Sequence, residues 1–155
     1  MKLVFTAHEI FDLAIQVEEN GERFYRLALT RHHREPLREL LQWLADEEAK
    51  HGNTFRQLQE GLSEDDTGPV PAEHGMDLRA AMGRHAFSLD ETEIGAIEDE
   101  RELLQTAMEF ESDSILFYEF IASLITGARA LSSIQEIRAC EIDHKRLLME
   151  RLSRL

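Results

Sequence analysis

Two glutamate–histidine pairs at one spacing, Glu48-x-x-His51 in "DEEAKH" and Glu141-x-x-His144 in "CEIDH", are the side chains of this sequence best suited to chemistry. On a helix, residues three apart share a face, so each pair offers a carboxylate and an imidazole together, both good ligands for a divalent cation. Two side chains do not complete a coordination sphere. Nor is one such pair informative alone, since chance supplies about one in a chain this rich in glutamate.

The surroundings add weight. A fixed offset of 93 residues carries Ala14, Glu18, Phe24, Tyr25, Gln42, Glu48 and His51 onto Ala107, Glu111, Phe117, Tyr118, Gln135, Glu141 and His144, the same residue type each time. One offset sustained over two helices is an internal repeat, a far more specific signal than a four-residue pattern. It brings Glu18 and Glu111 into the candidate set.

The elements that must position these residues are helical. Thr6-x-x-Glu9 reads as a capping box, and apolar residues then recur at helical spacing, predicting a first helix over about 7–31. Pro36 suits a first helical turn, and the pattern after it runs to about Leu62. Residues 63–97 form the connection, opening on the Pro-, Gly- and acid-rich "SEDDTGPVPAEHG"; "MDLRAAMGRHAF", 76–87, is a candidate short helix within it. A third helix is expected from about Glu98 to a stop at Gly127, and a fourth from "ALSSIQ" to the end of "LLMERL". Strand signals are absent. The expected fold is all-α: an antiparallel four-helix bundle with a long crossover between helices 2 and 3, forming a single domain over 1–155 whose repeat halves are about 7–62 and 98–153.

Each helix carries an apolar stripe interrupted near its middle. Helix 2 reads Leu37, Leu41, Leu44, Glu48, His51, Phe55, Leu58, and helix 4 reads Ile134, Ile137, Glu141, His144, Leu148. Helix 1 gives Phe11, Ala14, Glu18, Gly21, Tyr25, Ala28, and helix 3 gives Leu104, Ala107, Glu111, Ser114, Tyr118, Ile121. Burying these stripes brings four carboxylates and two imidazoles to one level. An ionised carboxylate buried without a partner costs many kcal/mol, and the stripes hold no lysine or arginine there. Two divalent cations balance four carboxylates, and a Glu from each of two helices plus Glu-x-x-His from each of the other two is a known carboxylate di-metal constellation. Mixed oxygen and imidazole donors suit iron or manganese. The competing reading, a polar layer of protonated glutamates bonded to histidines, needs four raised glutamate pKa values in one core.

Other features bound the function. With 31 acidic against 17 basic residues, a formal charge of −14, the chain is not expected to bind nucleic acid or an anionic membrane face. Cys140 is the single cysteine, which excludes an internal disulfide or a CxxC knuckle. "MKLVFTAHEI" is too short an apolar stretch for a signal peptide or membrane span, so a cytoplasmic location is expected. His8, His32, His33, His74 and His85 fall near helix ends or in the connection and are expected to be solvated or locally bonded. Gly21 and Ser114 are small residues on the core stripe beside Glu18 and Glu111, and they either allow close packing or leave a hole beside the metals for a small oxidant.

At these residues the chain resembles the ferritin-like superfamily, and within it rubrerythrin-like proteins. "AIQVEENGERFY" and "AMEFESDSILFY" are similar to the family's first and third helices, "EEAKH" and "CEIDH" to its second and fourth. The resemblance implies two iron ions bridged by Glu48 and Glu141, with Glu18 and Glu111 as terminal ligands and one imidazole, His51 or His144, on each metal. It places Tyr25 and Tyr118 behind the ligands, as rings whose hydroxyls can reach a carboxylate. Rubrerythrins commonly carry a further glutamate where this chain has Ser114, and a rubredoxin domain with paired CxxC motifs that this sequence lacks. A separate redox protein is therefore expected as electron donor. The implied activity is reduction of hydrogen peroxide or dioxygen in a homodimer or larger homo-oligomer; the alternative is iron binding, oxidation and storage at the same residues.

Overall fold

Thr6 closes a short extended stretch and begins the first helix by the capping box expected of it. Its side chain accepts the Glu9 N–H at 3.1 Å, and the Glu9 carboxylate accepts the Thr6 N–H at 3.1 Å. In this computed structural model, which describes residues 4–62, 69–71 and 91–155, the elements in chain order are β1 (Val4–Thr6), α1 (Ala7–Leu29), α2 (Leu37–Glu60), β2 (Pro69–Pro71), α3 (Glu91–Gly95), α4 (Glu100–Ala122) and α5 (Ala128–Ser153).

The four long helices are those the periodicity predicts, but several ends differ. Pro36 caps α2 from just outside its first turn. Asp99 caps α4, its side chain accepting the Glu102 N–H at 3.3 Å. Gly127 does not end that helix: α4 stops at Ala122, where the Ser123 hydroxyl turns back to the Phe120 carbonyl at 2.6 Å, and Gly127 instead caps the start of α5. Ile125, buried between the two helices, anchors the turn, so the glycine falls on its far side. The absence of strands is also corrected, since β1 pairs antiparallel with β2, Phe5 opposite Val70. Proline has no N–H, so two of the three β2 residues have none to give to the ladder. The short helix expected over 76–87, with His74 and His85, lies outside the described residues.

Apolar burial divides into two clusters with the polar level between them. At one end Ile10, Phe11 and Val17 of α1 meet Phe55 of α2, Phe117 and Ile121 of α4, and Ile134 and Ile137 of α5. At the other, Phe24 and Ala28 meet Leu41 and Leu44, Leu103 and Leu104, and Leu148, with Ile94 and Ile97 of the connection packed on. The order of these residues along each helix makes α1 antiparallel to α2 and to α4, and α5 antiparallel to α4 and to α2. Helix α2 therefore finishes at the end of the bundle opposite the one where α4 begins, as the expected crossover requires. One histidine departs from expectation: His32 is buried, and its Nε2 lies 3.0 Å from the carbonyl of Ile97, tying the end of α1 to the distant connection. Among the described residues no helix is long and apolar enough to cross a membrane.

Candidate metal centre

Glu18 on α1, Glu48 and His51 on α2, Glu111 on α4, and Glu141 and His144 on α5 are all buried, and the structure brings them to one place. Their donor atoms form two overlapping groups, Glu18–Glu48–His51–Glu141 and Glu48–Glu111–Glu141–His144, each with its atoms within 4.8 Å of one another. Glu48 and Glu141 belong to both. The local cause is helical geometry: the three-residue spacing of each Glu–His pair stacks both side chains on the inward stripe, at the level where the apolar clusters part.

Tyrosines hold the two outer glutamates. Tyr25 Oη donates to Glu111 Oε1 at 2.5 Å, and Tyr118 Oη donates to Glu18 Oε1. Each ring thus serves the glutamate of the opposite half rather than the one on its own helix. Each takes one carboxylate oxygen and leaves Oε2 without a partner. Burial, reinforced by the charge of Glu111 in one case and Glu18 in the other, pushes both phenols well above their usual range, so the hydroxyls stay protonated and donate.

His51 Nδ1 lies 3.0 Å from Glu141 Oε1 and 3.6 Å from Glu18 Oε2. His144 Nδ1 stands farther off, 3.5 Å from Glu48 and Glu141 and 3.6 Å from Glu111. Burial disfavours a charged imidazole, but the surrounding carboxylates outweigh it and push His51 up to about 11 and His144 up to about 10. Burial and the repulsion of Glu141 drive Glu48 and Glu111 upward as well. Burial opposes ionisation of Glu141 too, yet its hydrogen-bonding contacts with Glu111, His144 and His51 hold it below the usual range. Without cations, protons supply part of the positive charge the cluster needs.

They do not satisfy it. Glu18 Oε2, Glu48 Oε1, Glu111 Oε2, Glu141 Oε2 and both ring nitrogens of His144 are buried with no hydrogen-bond partner. Native interiors leave few such atoms, and here they converge on one point. Three carboxylates and one imidazole in each group, with two carboxylates shared, form a donor set that fits a pair of divalent cations.

Gly21 has a different role from the open space considered above. A Cβ there would lie 2.6 Å from Glu48 Oε2 and 2.9 Å from its Cδ, so the missing side chain is where the Glu48 carboxylate sits. Its repeat mate Ser114 is buried, with its hydroxyl donating to the Phe110 carbonyl at 3.1 Å. Sequence reasoning also passed over Trp43, whose ring meets that of His144 edge to face at 5.3 Å. The repeat gave no signal for it, since the offset of 93 residues carries Trp43 onto Glu136 and its neighbours Leu44, Ala45 and Asp46 onto different residues as well.

A four-helix bundle with a buried carboxylate–imidazole cluster at its centre defines the class: a ferritin-like protein with a candidate di-metal site. Residues 9–101 match the family model described as Rubrerythrin, and the chain belongs to that family. Among solved structures it is similar to a putative ferritin-like diiron-carboxylate protein from Thermotoga maritima, at 26% identity and a TM-score of 0.81 over 99% of this chain and 98% of that one. A hypothetical protein from Pyrococcus furiosus shares the fold at 21% identity and a TM-score of 0.67, covering 96% of this chain and 89% of that one. No curated protein matches the chain.

Proposed function

We propose that this chain is a di-iron carboxylate oxidoreductase that reduces hydrogen peroxide, or dioxygen, with electrons from a separate redox protein in the cytoplasm. The observation that carries the reading is the pair of overlapping donor groups with Glu48 and Glu141 in common and buried atoms left unpartnered. In it Glu18, Glu48, His51 and Glu141 would hold one cation, and Glu48, Glu111, Glu141 and His144 would hold the other. The repeat halves, 7–62 and 98–153, form one domain around them. The description of the Thermotoga maritima protein as a diiron-carboxylate protein supports iron over manganese.

When bound, two iron ions would supply a pair of electrons to an oxidant. The chain's own contribution is positioning and charge. Tyr25 and Tyr118 pin one oxygen of Glu111 and Glu18 and keep the other free, which favours single-oxygen ligation by both. The phenolic protons stay on oxygen near neutral pH, so the same groups hold a proton beside the cluster. The apolar clusters above and below exclude bulk water and strengthen every charge interaction between them.

Elemental analysis of protein purified without added metal should find close to two iron per chain. Rapid mixing of the reduced, loaded protein with peroxide should then oxidise it faster than air does. Oxidation no faster than that of free ferrous ion would reject the activity. A large hollow particle on sizing would favour the storage reading instead, since a dimer cannot enclose a mineral core.

A further inference from the structure

Trp43 is the chain's one tryptophan. It lies on α2 two turns before His51 and is 43% exposed, yet its ring meets the buried ring of His144 on α5 with centroids 5.3 Å apart at 78°. The ring of His51 stacks on the same imidazole at 5.7 Å and 12°. A histidine that ligates a metal ordinarily has its other ring N–H held by an acceptor, which fixes the plane of the ring. The nitrogen of His51 near Glu141 is the one that faces the candidate cation position, and neither nitrogen of His144 has a hydrogen-bond partner among the described residues. The ring contacts of His144 are those with Trp43 and His51.

Among the described residues the opposite half has no counterpart to this cover. The residue in Trp43's place is Glu136, exposed on α5, and His51 is 6% exposed against 1% for His144. The two candidate cation positions are thus alike in donors and unlike in cover. We propose that Trp43 is a positioning residue that orients His144 and closes its cation position to ligands from solution, leaving the position beside His51 as the one where exchange with solvent takes place. This rests on the paired-cation reading above. The physical basis is that an apolar shell controls solvent access to a metal, and exchange needs an incoming donor to reach it.

The test is cation release. Full-length protein loaded with two cobalt(II) ions is challenged with excess EDTA and followed by cobalt absorbance. The wild type should release its ions in two phases of equal amplitude. Trp43→Ala should speed the slow phase by about ten-fold, the lower end of what loss of a supporting group costs a metal site, and leave the fast phase unchanged. Trp43→Phe, which keeps an aromatic edge, should restore the slow phase. Because the indole is half exposed, metal-free thermal unfolding of both variants should match the wild type, separating a local effect from a general loosening. Two ions leaving in one phase, an unchanged slow phase in Trp43→Ala, or equal acceleration of both phases would overturn the proposal while leaving the paired-cation reading intact. Uptake of fewer than two ions by the wild type would overturn both.

Discussion

The half built from α1 and α2 and the half built from α4 and α5 carry the same donors at the same helical positions, but they support them differently. Glu141 accepts the His51 N–H at 3.0 Å, whereas its counterpart Glu48 stands 3.5 Å from His144 and turns its other oxygen into the space above Gly21. The tyrosines, in contrast, are reciprocal, each reaching across to the other half's glutamate. A repeat therefore conserves what must be symmetric, the count and level of donors, while the residues around them are free to make the two positions unequal.

The sharpest way to break the comparison is to remove a shared carboxylate. Glu48→Ala should reduce bound metal from two equivalents to below one, read by elemental analysis, because it strips a donor from both groups at once. Gly21→Ala comes next. Its new Cβ would displace the Glu48 carboxylate, and metal affinity should fall by about ten-fold or more, whereas Ser114→Ala in the other half should change it little. Competition with a metallochromic chelator would measure both, and equal losses would show that the glycine is not a seat for Glu48.

The tyrosines test the symmetric part. Tyr25→Phe and Tyr118→Phe should each weaken metal binding by a similar factor and cost the metal-free fold about 1–3 kcal/mol in chemical denaturation, as a buried carboxylate oxygen loses its donor. A large effect from only one would place the asymmetry in the outer glutamates as well.

Protonation gives a further distinction, between metal-free and loaded protein. His51 and His144 are raised above the imidazole range, and Glu48 and Glu111 above the carboxylate range, so over these windows the folded state binds more protons than the unfolded one. Stability then falls as pH rises. The contribution of the two imidazoles is complete below about 6.5 and lost as pH climbs through about 10 and 11. The melting temperature of metal-free protein should decline from pH 6 to 9, while that of loaded protein should hold, and loading in weak buffer should release protons. The smallest effects belong to the surface. Breaking Arg56–Glu19 in one half or Arg138–Glu119 in the other should cost about 1 kcal/mol or less and leave metal content untouched.

Much of this was legible in advance because it depends on local periodicity. The capping box at Thr6, the four amphipathic stripes and the crossover all follow from residue spacing. The helix ends were less legible: Gly127 looked like a stop for α4, but a serine turn and the burial of Ile125 ended that helix five residues earlier. The β1–β2 pairing joins residues more than sixty positions apart, through prolines that argue against a strand when read locally.

The same division holds at the candidate site. The sequence by itself determined which side chains could serve as donors and at what level they lie, because a helix places residues three and four apart on one face whatever it packs against. Only the tertiary structure decided that each tyrosine serves the opposite half, that Gly21 makes room for a carboxylate and that an indole covers one histidine of the two. Those outcomes depend on how closely helices approach and which rotamers the contact permits, and these are properties of pairs of helices that no single helix encodes.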